Sequence, residues 1–489
     1  MAKLPMGELI GMLAAEAPDA PAVTLGDTTV TRRALDLRTN RLARAYAALG
    51  VEQDRLVTIA LPNSIGFIEA CIACWKLGAT PQPVSDRMPE RERSEIIELA
   101  DPALIVGASA QAHPGRRSVP ADFRPDPGLG DAALPPRIAR YWRAPTTGGS
   151  TGRPKIVLSN APSVADPDEI TMRLGGGGCE LVAAPLYYGG PLMYATFGLM
   201  RRKHLVIMPR FDAVETLRLI QRWRADWVML VPTMMARIWR LDEAVRGGFD
   251  LSSLQTVLHM AAACPVWLKQ AWIDWLGPDR IYELYSGMET SGMTWISGRQ
   301  WLAHQGSVGR PIRGCEMRIL DESGAEMPRG EIGEIFMRLT GAAEPAYRYI
   351  GAEARERGGW QSLGDLGHMD ADGYLYIADR RVDMILSGGA NVYPAQIEAA
   401  LDEHPRIIAS AVIGLPDDDM GNRVHAIYHA ESPIPDEELR AHAAERLSPY
   451  KIPRSFEFSA APLRDEAGKL RRGALRAERI AAQGGAAPT

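Results

Sequence analysis

Between residues 30 and 107 the chain changes its apolar period several times in succession. The stretch TRRALDLRTNRLARAYAALG repeats apolar residues at helical spacing and stops at Gly50; RLVTIAL then reads as a strand. SIGFIEACIACWKLG returns to helical spacing, and PALIVGAS is strand-like again. Helices that alternate with short apolar strands are crossover connections, which leave successive strands parallel and cover the sheet with helices. This pattern commits the chain to an α/β fold. A Pro-rich stretch from Gly107 to Pro136 lacks periodicity and reads as a surface connection. The alternation resumes with ELVAAPL, HLVIMPR, DAVETLRLIQRWRA, DWVMLVP and TVLHMAAA.

Short β-rich segments follow, among them CEMRILDESG and GEIGEIFMRLT, and GYLYIADRRVDMILSGG reads as a hairpin that crosses a boundary. Beyond it, PAQIEAALDEHP, IASAVIGLP, RVHAIYHA, DEELRAHAAERL and SFEFSA form an α+β pattern. At 489 residues the chain exceeds what one compact core supports. The expected organisation is a large N-terminal domain, 1–379, of stacked, mostly parallel sheets with helices and a small β-rich subdomain. A small mobile C-terminal α+β domain, 380–489, completes it.

A net charge of −5 argues against nucleic acid or an anionic membrane as the main partner. The five cysteines are odd in number and sparse, as in a reducing compartment. Cys71 and Cys74 lie at helical apolar spacing and read as core residues, since no second ligand pair follows. The N-terminus has no signal-peptide pattern, and no apolar run reaches the roughly 20 residues of a membrane span. The expected address is cytoplasmic, without a membrane.

The strongest local signal is TTGGSTGRPK, Thr146 to Lys155. Gly148, Gly149 and Gly152 let backbone amides converge, Thr146, Thr147, Ser150 and Thr151 offer hydroxyls, and Lys155 adds a cation. That combination suits a polyphosphate, because nests of N–H groups and hydroxyls bind anionic oxygens. It is not a Walker loop, whose Gly-x-x-x-x-Gly-Lys-[Ser/Thr] spacing is absent.

TTGGSTGRPK resembles the phosphate loop of the adenylate-forming superfamily: acyl-CoA synthetases, peptide-synthetase adenylation domains and firefly-type luciferases. Four further stretches agree in chain order: GSVGRP at 306–311, WQSLGDLGHMDADGYLYIADRRVDMI at 360–385, SGGANVYPAQIE at 387–398 and YKIPRSFEFSAAPLRDEAGKLRR at 450–472. The spellings GGSTGRPK and ADRRVDMILSGGANVYPAQIE are most similar to those of bile-acid and steroid-type CoA ligases. The resemblance implies two steps: a carboxylate attacks the α-phosphate of ATP to give acyl-AMP, and a thiol, usually of CoA, then displaces AMP after the small domain rotates. ATP/AMP, CoA and Mg²⁺ are the implied cofactors. A carrier protein in place of CoA is the alternative acceptor, and a non-catalytic adenylate-binding protein is a third reading.

Carried over by position, Lys469 matches the lysine that bridges the acyl carboxylate and the α-phosphate. Asp365 matches the ribose-binding carboxylate, and Arg380 the hinge-region arginine. Gly388 and Gly389 match the glycines that pass the pantetheine arm. Thr147, Gly148, Gly149, Ser150, Thr151, Gly152 and Lys155 form the expected phosphate loop. The acyl pocket is expected to draw on Tyr188, Gly189, Gly190, Pro232 and Thr233, and on Ala261, Ala262 and Ala263, whose small side chains leave room for a bulky carboxylic acid. The pair Met234 and Met235 reads as core rather than pocket.

Four departures bear on the chemistry. YSGMETSG, Tyr285–Gly292, inverts the usual order of hydroxyl and carboxylate. Aligned on Tyr285 and Glu289, it puts Ser286 for Gly and Met288 for Thr; aligned on Gly287, it transposes Glu289 and Thr290. Glu289 is the expected metal-associated carboxylate in this group, with Ser286, Thr290 or Ser291 as replacement hydroxyls. Tyr188 stands where the family often has His, as a catalytic donor or as an aromatic wall. Val382 occupies a hinge position usually charged, and Ile156 replaces a Gly after the loop. The expectation is weakened adenylation with thioester formation retained.

Overall fold

The computed structural model describes residues 3–109, 111–148, 154–312, 314–341, 344–387, 390–417, 419–465 and 468–482. A nine-stranded sheet runs, from one edge, through Arg310–Pro311, Met293–Ser297, Ile281–Ser286, Thr256–His259, Trp227–Leu230, Cys179–Val182, His204–Ile207, Pro21–Leu25 and Thr28–Thr31. Its central strands, from Ile281–Ser286 to Pro21–Leu25, are all parallel, and antiparallel strands close both edges. A second sheet, of Thr80–Pro83, Leu56–Ile59, Leu104–Val106 and Ser118–Val119, is wholly parallel. The alternation marks Leu56–Ile59 and Leu104–Val106 in this sheet, but Thr80–Pro83 carries no apolar period, and Ser118–Val119 is a short strand inside the stretch read as a surface connection.

The helix Ile65–Lys76 joins the two sheets into one core. Ser64 caps it by accepting from the Phe67 N–H, and nearly every residue from Phe67 to Lys76 is buried. Its buried residues share one apolar cluster with Val23 and Leu205 of the large sheet and Val57 of the second. Cys71 and Cys74 lie inside this helix, and burial pushes both thiols well up, so they act as small apolar residues. Met234 and Met235 are likewise buried in the core around the large sheet. Among the described residues no helix is long and apolar enough to cross a membrane.

The third layer is β-rich: Cys315–Leu320, Gly333–Leu339, Trp360–Met369, Arg355–Arg357 and Leu375–Arg380 form one antiparallel sheet. Here the expected hairpin in GYLYIADRRVDMILSGG is corrected. Leu375–Arg380 pairs backward with Trp360–Met369, whereas Ile385–Ser387 pairs forward with Ala390–Val392. The intervening turn keeps Val382 exposed, and Asp383 beside it accepts from Arg472 at 2.7 Å. Alternating apolar residues on both sides of a turn suggest pairing across it, but each strand found a better partner elsewhere.

From Ile385 onward a separate core forms around Val392, Ile397, Val412, Tyr428 and Leu439. Its sheet holds Ile407–Asp417 and Gly421–Ala430 antiparallel, with Ser455–Ser459 added in parallel, and the helices are Pro394–Leu401, Asp436–Ala444 and Arg472–Ala482.

Candidate active site

YSGMETSG is the turn between the last parallel strand, Ile281–Ser286, and its antiparallel neighbour Met293–Ser297. Tight packing sets its sequence. A Cβ on Gly287 would lie 2.5 Å from Glu289 Oε2 and from Leu363 Cδ1, so a side chain there would displace the Glu289 carboxylate or the Leu363 methyl groups. Thr290 takes a left-handed φ of 51° and donates its N–H to the Gly287 carbonyl. The Ser286 hydroxyl donates to the Gly292 carbonyl at 2.8 Å and so closes the turn. Ser291 Oγ is buried without a partner among the described residues.

This turn aims Tyr285 and Glu289 in two useful directions. The Tyr285 hydroxyl donates to Asp365 Oδ2 at 2.7 Å, and Arg380 Nε donates to Asp365 Oδ1 at 3.2 Å. Asp365 and Arg380 are cross-strand partners, which explains their proximity at a separation of fifteen residues. Glu289 is buried, accepts from the Tyr349 hydroxyl at 2.5 Å, and lies 3.8 Å from Lys155 Nζ. Lys155 in turn sits 3.7 Å above the Tyr349 ring. Burial pushes the Lys155 ammonium down, and the Glu289 carboxylate counters it.

The phosphate-loop stretch lies between two antiparallel strands, Thr146–Gly148 and Pro154–Ser159, with Thr147 opposite Lys155. Ile156 is fully buried there and pairs with Ile350, so the strand after the loop is anchored in the interior. Gly149, Ser150, Thr151 and Gly152 of the loop lie outside the described residues, as do Gly388 and Gly389.

Lys469 reaches this cleft on a loop of the C-terminal unit. Asp465 shapes the loop by accepting the Lys469 N–H at 2.9 Å, and Gly468 takes a φ of 75°. The same carboxylate docks the loop, because Tyr188 Oη donates to Asp465 Oδ2 at 2.9 Å. Lys469 Nζ then lies 5.0 Å from the Tyr188 ring centre. Burial pushes the Lys469 ammonium below its ordinary value; Asp465 and Glu289 pull it up, while Arg380 pushes it down. Burial and Asp465 hold the Tyr188 hydroxyl far above the usual phenol range, so it is a permanent donor.

Gly468 touches Thr233, and a Cβ there would sit 2.9 Å from Thr233 Oγ1 in a backbone region that favours glycine. Gly468→Ala is therefore expected to undock the loop. If Lys469 acts as the family resemblance implies, formation of acyl-AMP should fall by about 10-fold or more when its loop is misplaced. The melting temperature should barely move; calorimetry beside the rate measurement checks both.

The acyl-pocket residues come together only in part. Gly189 and Gly190 open the helix Gly189–Met200, but the space their missing side chains leave is taken. Met288 Sδ lies 3.1 Å from where a Gly189 Cβ would be, and Met260 Sδ lies 3.4 Å from that of Gly190. The expected open volume is thus filled by thioethers, which rearrange readily. Ala261 adopts a left-handed φ of 74°; Ala261 and Ala263 are exposed, and Ala262 is half-buried.

Two contributors escaped the sequence reading. Tyr349 sits in YRYI, where period-two alternation marks a strand and carries no functional signal. Arg143 is buried beside Gly189, and the signal available was a lone cation in the apolar run YWRAP. Among the described residues no group of three or more His, Cys, Asp or Glu could hold a metal. One buried carboxylate facing a phosphate-loop lysine nonetheless fits Mg²⁺, which keeps waters and takes one or two carboxylates along with substrate phosphates.

A cleft at the carboxyl ends of parallel strands, closed by a lysine loop from a smaller unit, defines a two-part, nucleotide-dependent ligase architecture. The AMP-binding enzyme family matches residues 13–139 and 142–345, and its C-terminal domain matches residues 396–469. The chain belongs to the AMP-binding enzyme family. It is 31% identical over 488 residues to a feruloyl-CoA synthase of an Amycolatopsis species, covering 94% of this chain and 96% of that protein. It is 29% identical over 470 residues to a 2-succinylbenzoate–CoA ligase of Bacillus licheniformis, covering 93% and 96%. Its fold matches o-succinylbenzoate CoA synthetase from Bacillus subtilis in complex with an acyl-adenylate intermediate, with a TM-score of 0.82, 24% identity and coverage of 97% and 99%.

Proposed function

We propose that the chain is an AMP-forming acyl-CoA ligase that uses ATP, Mg²⁺ and CoA, acts on a ring-bearing carboxylic acid, and has adenylation as its weaker half-reaction. The observation that carries the reading is the convergence of Lys469, Glu289 with Lys155, and Asp365 with Arg380 on one cleft, although these residues span two separately cored units. In the first step a carboxylate oxygen bonds to the α-phosphorus of ATP. The bond from that phosphorus to the bridging oxygen breaks, and its electron pair leaves with pyrophosphate. Lys469 and Lys155 offset the charge of two anions brought into contact. Asp365 and Tyr285 hold the ribose end. Glu289 would share the Mg²⁺, which shields the leaving phosphates when bound. In the second step the CoA thiolate attacks the acyl carbon and AMP leaves. We place the pivot between residues 1–379 and 380–489 at the turn following Arg380; Tyr188 and Asp465 form the contact broken when the loop withdraws.

The substrate class rests on the two named relatives, a feruloyl-CoA synthase and a 2-succinylbenzoate ligase, whose acids both carry rings. Methionines at 229, 260 and 288 around Gly189 and Gly190 are the side chains such a ring would displace, and an aromatic or polycyclic acid fits this lining. Weak adenylation is inferred from Met288, whose thioether packs toward Gly189 where the family places a hydroxyl. A hydrogen bond to a charged group contributes about 1.5–3 kcal/mol, so Met288→Thr is expected to raise acyl-AMP formation by about 10-fold or more. Pyrophosphate release measured over a panel of aromatic, steroid-like and short aliphatic acids tests both claims. Turnover confined to short aliphatic acids would remove the substrate assignment, and an unimproved or slower threonine variant would remove the assignment of Met288.

A further inference from the structure

Beside Lys155, Lys469 and Arg380, the cleft holds a further cation that none of the matched motifs supplies. Arg143 precedes the phosphate-loop strand by three residues and is only 2% exposed. A buried guanidinium is costly unless an anion or a full set of acceptors faces it. Among the described residues, no carboxylate is hydrogen-bonded to Arg143 and its set of acceptors is incomplete. Its Nη1 donates to the Gly189 carbonyl, its plane lies 4.5 Å from the Trp142 ring, and its Nε is buried without an acceptor. Burial pushes the guanidinium down to about 10, with Tyr194 and then Glu289 pulling it back, so it stays cationic at neutral pH.

Its position is as informative as its missing partner. Gly189 follows Tyr188, the residue on which the Lys469 loop docks, and the place of a Gly189 Cβ lies 3.2 Å from Arg143 Nη1. Glu289, close enough to act on Arg143, is already engaged by Tyr349 and Lys155. The guanidinium thus lies against the acyl-pocket Gly189 and within electrostatic reach of Glu289. Lys469 is brought to the same cleft by a separate unit. Arg143 belongs to the large one and stays there throughout.

Resting on the ligase reading above, we propose that Arg143 binds an anionic oxygen of the reactants beside Gly189, either of the acid's carboxylate or of a phosphate. It is then the fixed cation of adenylation, complementing the mobile Lys469. Acyl transfer to CoA, in which the carboxylate has already become an ester-like anhydride, needs it less.

The test uses the full chain with Arg143→Gln, Arg143→Lys and Arg143→Ala, and an acid that the wild type activates. Arg143→Gln should lower acyl-AMP formation by about 10²–10³-fold, the usual effect of removing a positioned charge-stabilising donor. Transfer from preformed acyl-AMP to CoA should change much less. Arg143→Lys should recover part of the rate, and added guanidinium should recover part of it in Arg143→Ala. A rise in KM for the acid alone assigns the carboxylate, and a rise for ATP alone assigns the phosphate. Wild-type adenylation by Arg143→Gln overturns the proposal. So does a loss that accompanies a lowered melting temperature and that neither lysine nor guanidinium corrects. If the wild type itself adenylates no acid, the ligase reading fails separately. Calorimetric titration of pyrophosphate and of ATP into wild type and Arg143→Gln then decides the anion site: weaker binding by the variant supports it, and equal affinities overturn it.

Discussion

Replacing Lys469 with alanine is expected to slow acyl-AMP formation by about 10²–10³-fold. Transfer of preformed acyl-AMP to CoA should proceed almost unchanged. The split follows from the docked geometry taken together with the two-step ligase reading proposed above. Lys469 sits on the small unit's loop, which the Tyr188–Asp465 hydrogen bond docks against the cleft. A group delivered by docking acts in the step catalysed in the docked state and is absent from the step that follows its withdrawal. A pH profile gives a second readout. Burial lowers the Lys469 ammonium below its ordinary value. A lysine is cationic below its pKa, so wild-type adenylation should fall as pH rises through that lowered value. Pyrophosphate release and thioester formation, measured separately, check the claim; equal losses in both half-reactions would refute it.

Asp365→Asn is expected to damage both half-reactions. The buried Asp365 carboxylate accepts from Tyr285 and Arg380, and its remaining lone pairs are free to accept from ribose hydroxyls on the ligase reading proposed above. A neutral amide loses charge-assisted bonds of about 1.5–3 kcal/mol each, so two ribose hydroxyls imply a fall in ATP affinity of about 10²–10⁴-fold. Stability should fall little, because the Arg380 side chain is largely exposed and the asparagine oxygen still accepts from Tyr285. Titration calorimetry with ATP and with AMP measures the effect. Unchanged affinity would mean that the Asp365–Arg380 pair only closes the β-rich sheet.

The layered α/β framework was legible in the sequence because crossover alternation has few alternative folds. The helix Ile65–Lys76 and the parallel pair Leu56–Ile59 and Leu104–Val106 follow directly from apolar period and length, whereas Thr80–Pro83, which reads TPQP, shows no such period. The pairing of Ile385–Ser387 was not legible, since strand partners depend on which sheet edges tertiary packing leaves open. The site divided in the same way. Tyr285, Asp365, Arg380 and Lys469 carried motif signals, and the structure puts them around one cleft. Ser286 illustrates the limit, because its hydroxyl satisfies the turn's own carbonyl and nothing in the order of letters reveals that. Gly189 and Gly190 suggested empty volume, yet distant methionines fill it. Arg143 and Tyr349 lacked motif signals because their significance lies in what each faces: an uncompensated burial for one, Glu289 for the other.

The central claim is that this site makes acyl-AMP less readily than it consumes it. The direct measurement compares two rates on one preparation: pyrophosphate release from ATP, Mg²⁺ and a ring-bearing acid, and thioester formation from the corresponding acyl-AMP with CoA. The account predicts that the second exceeds the first by about 10-fold or more, matching one lost charge-assisted hydrogen bond. Pyrophosphate release as fast as thioester formation, or faster, would contradict it.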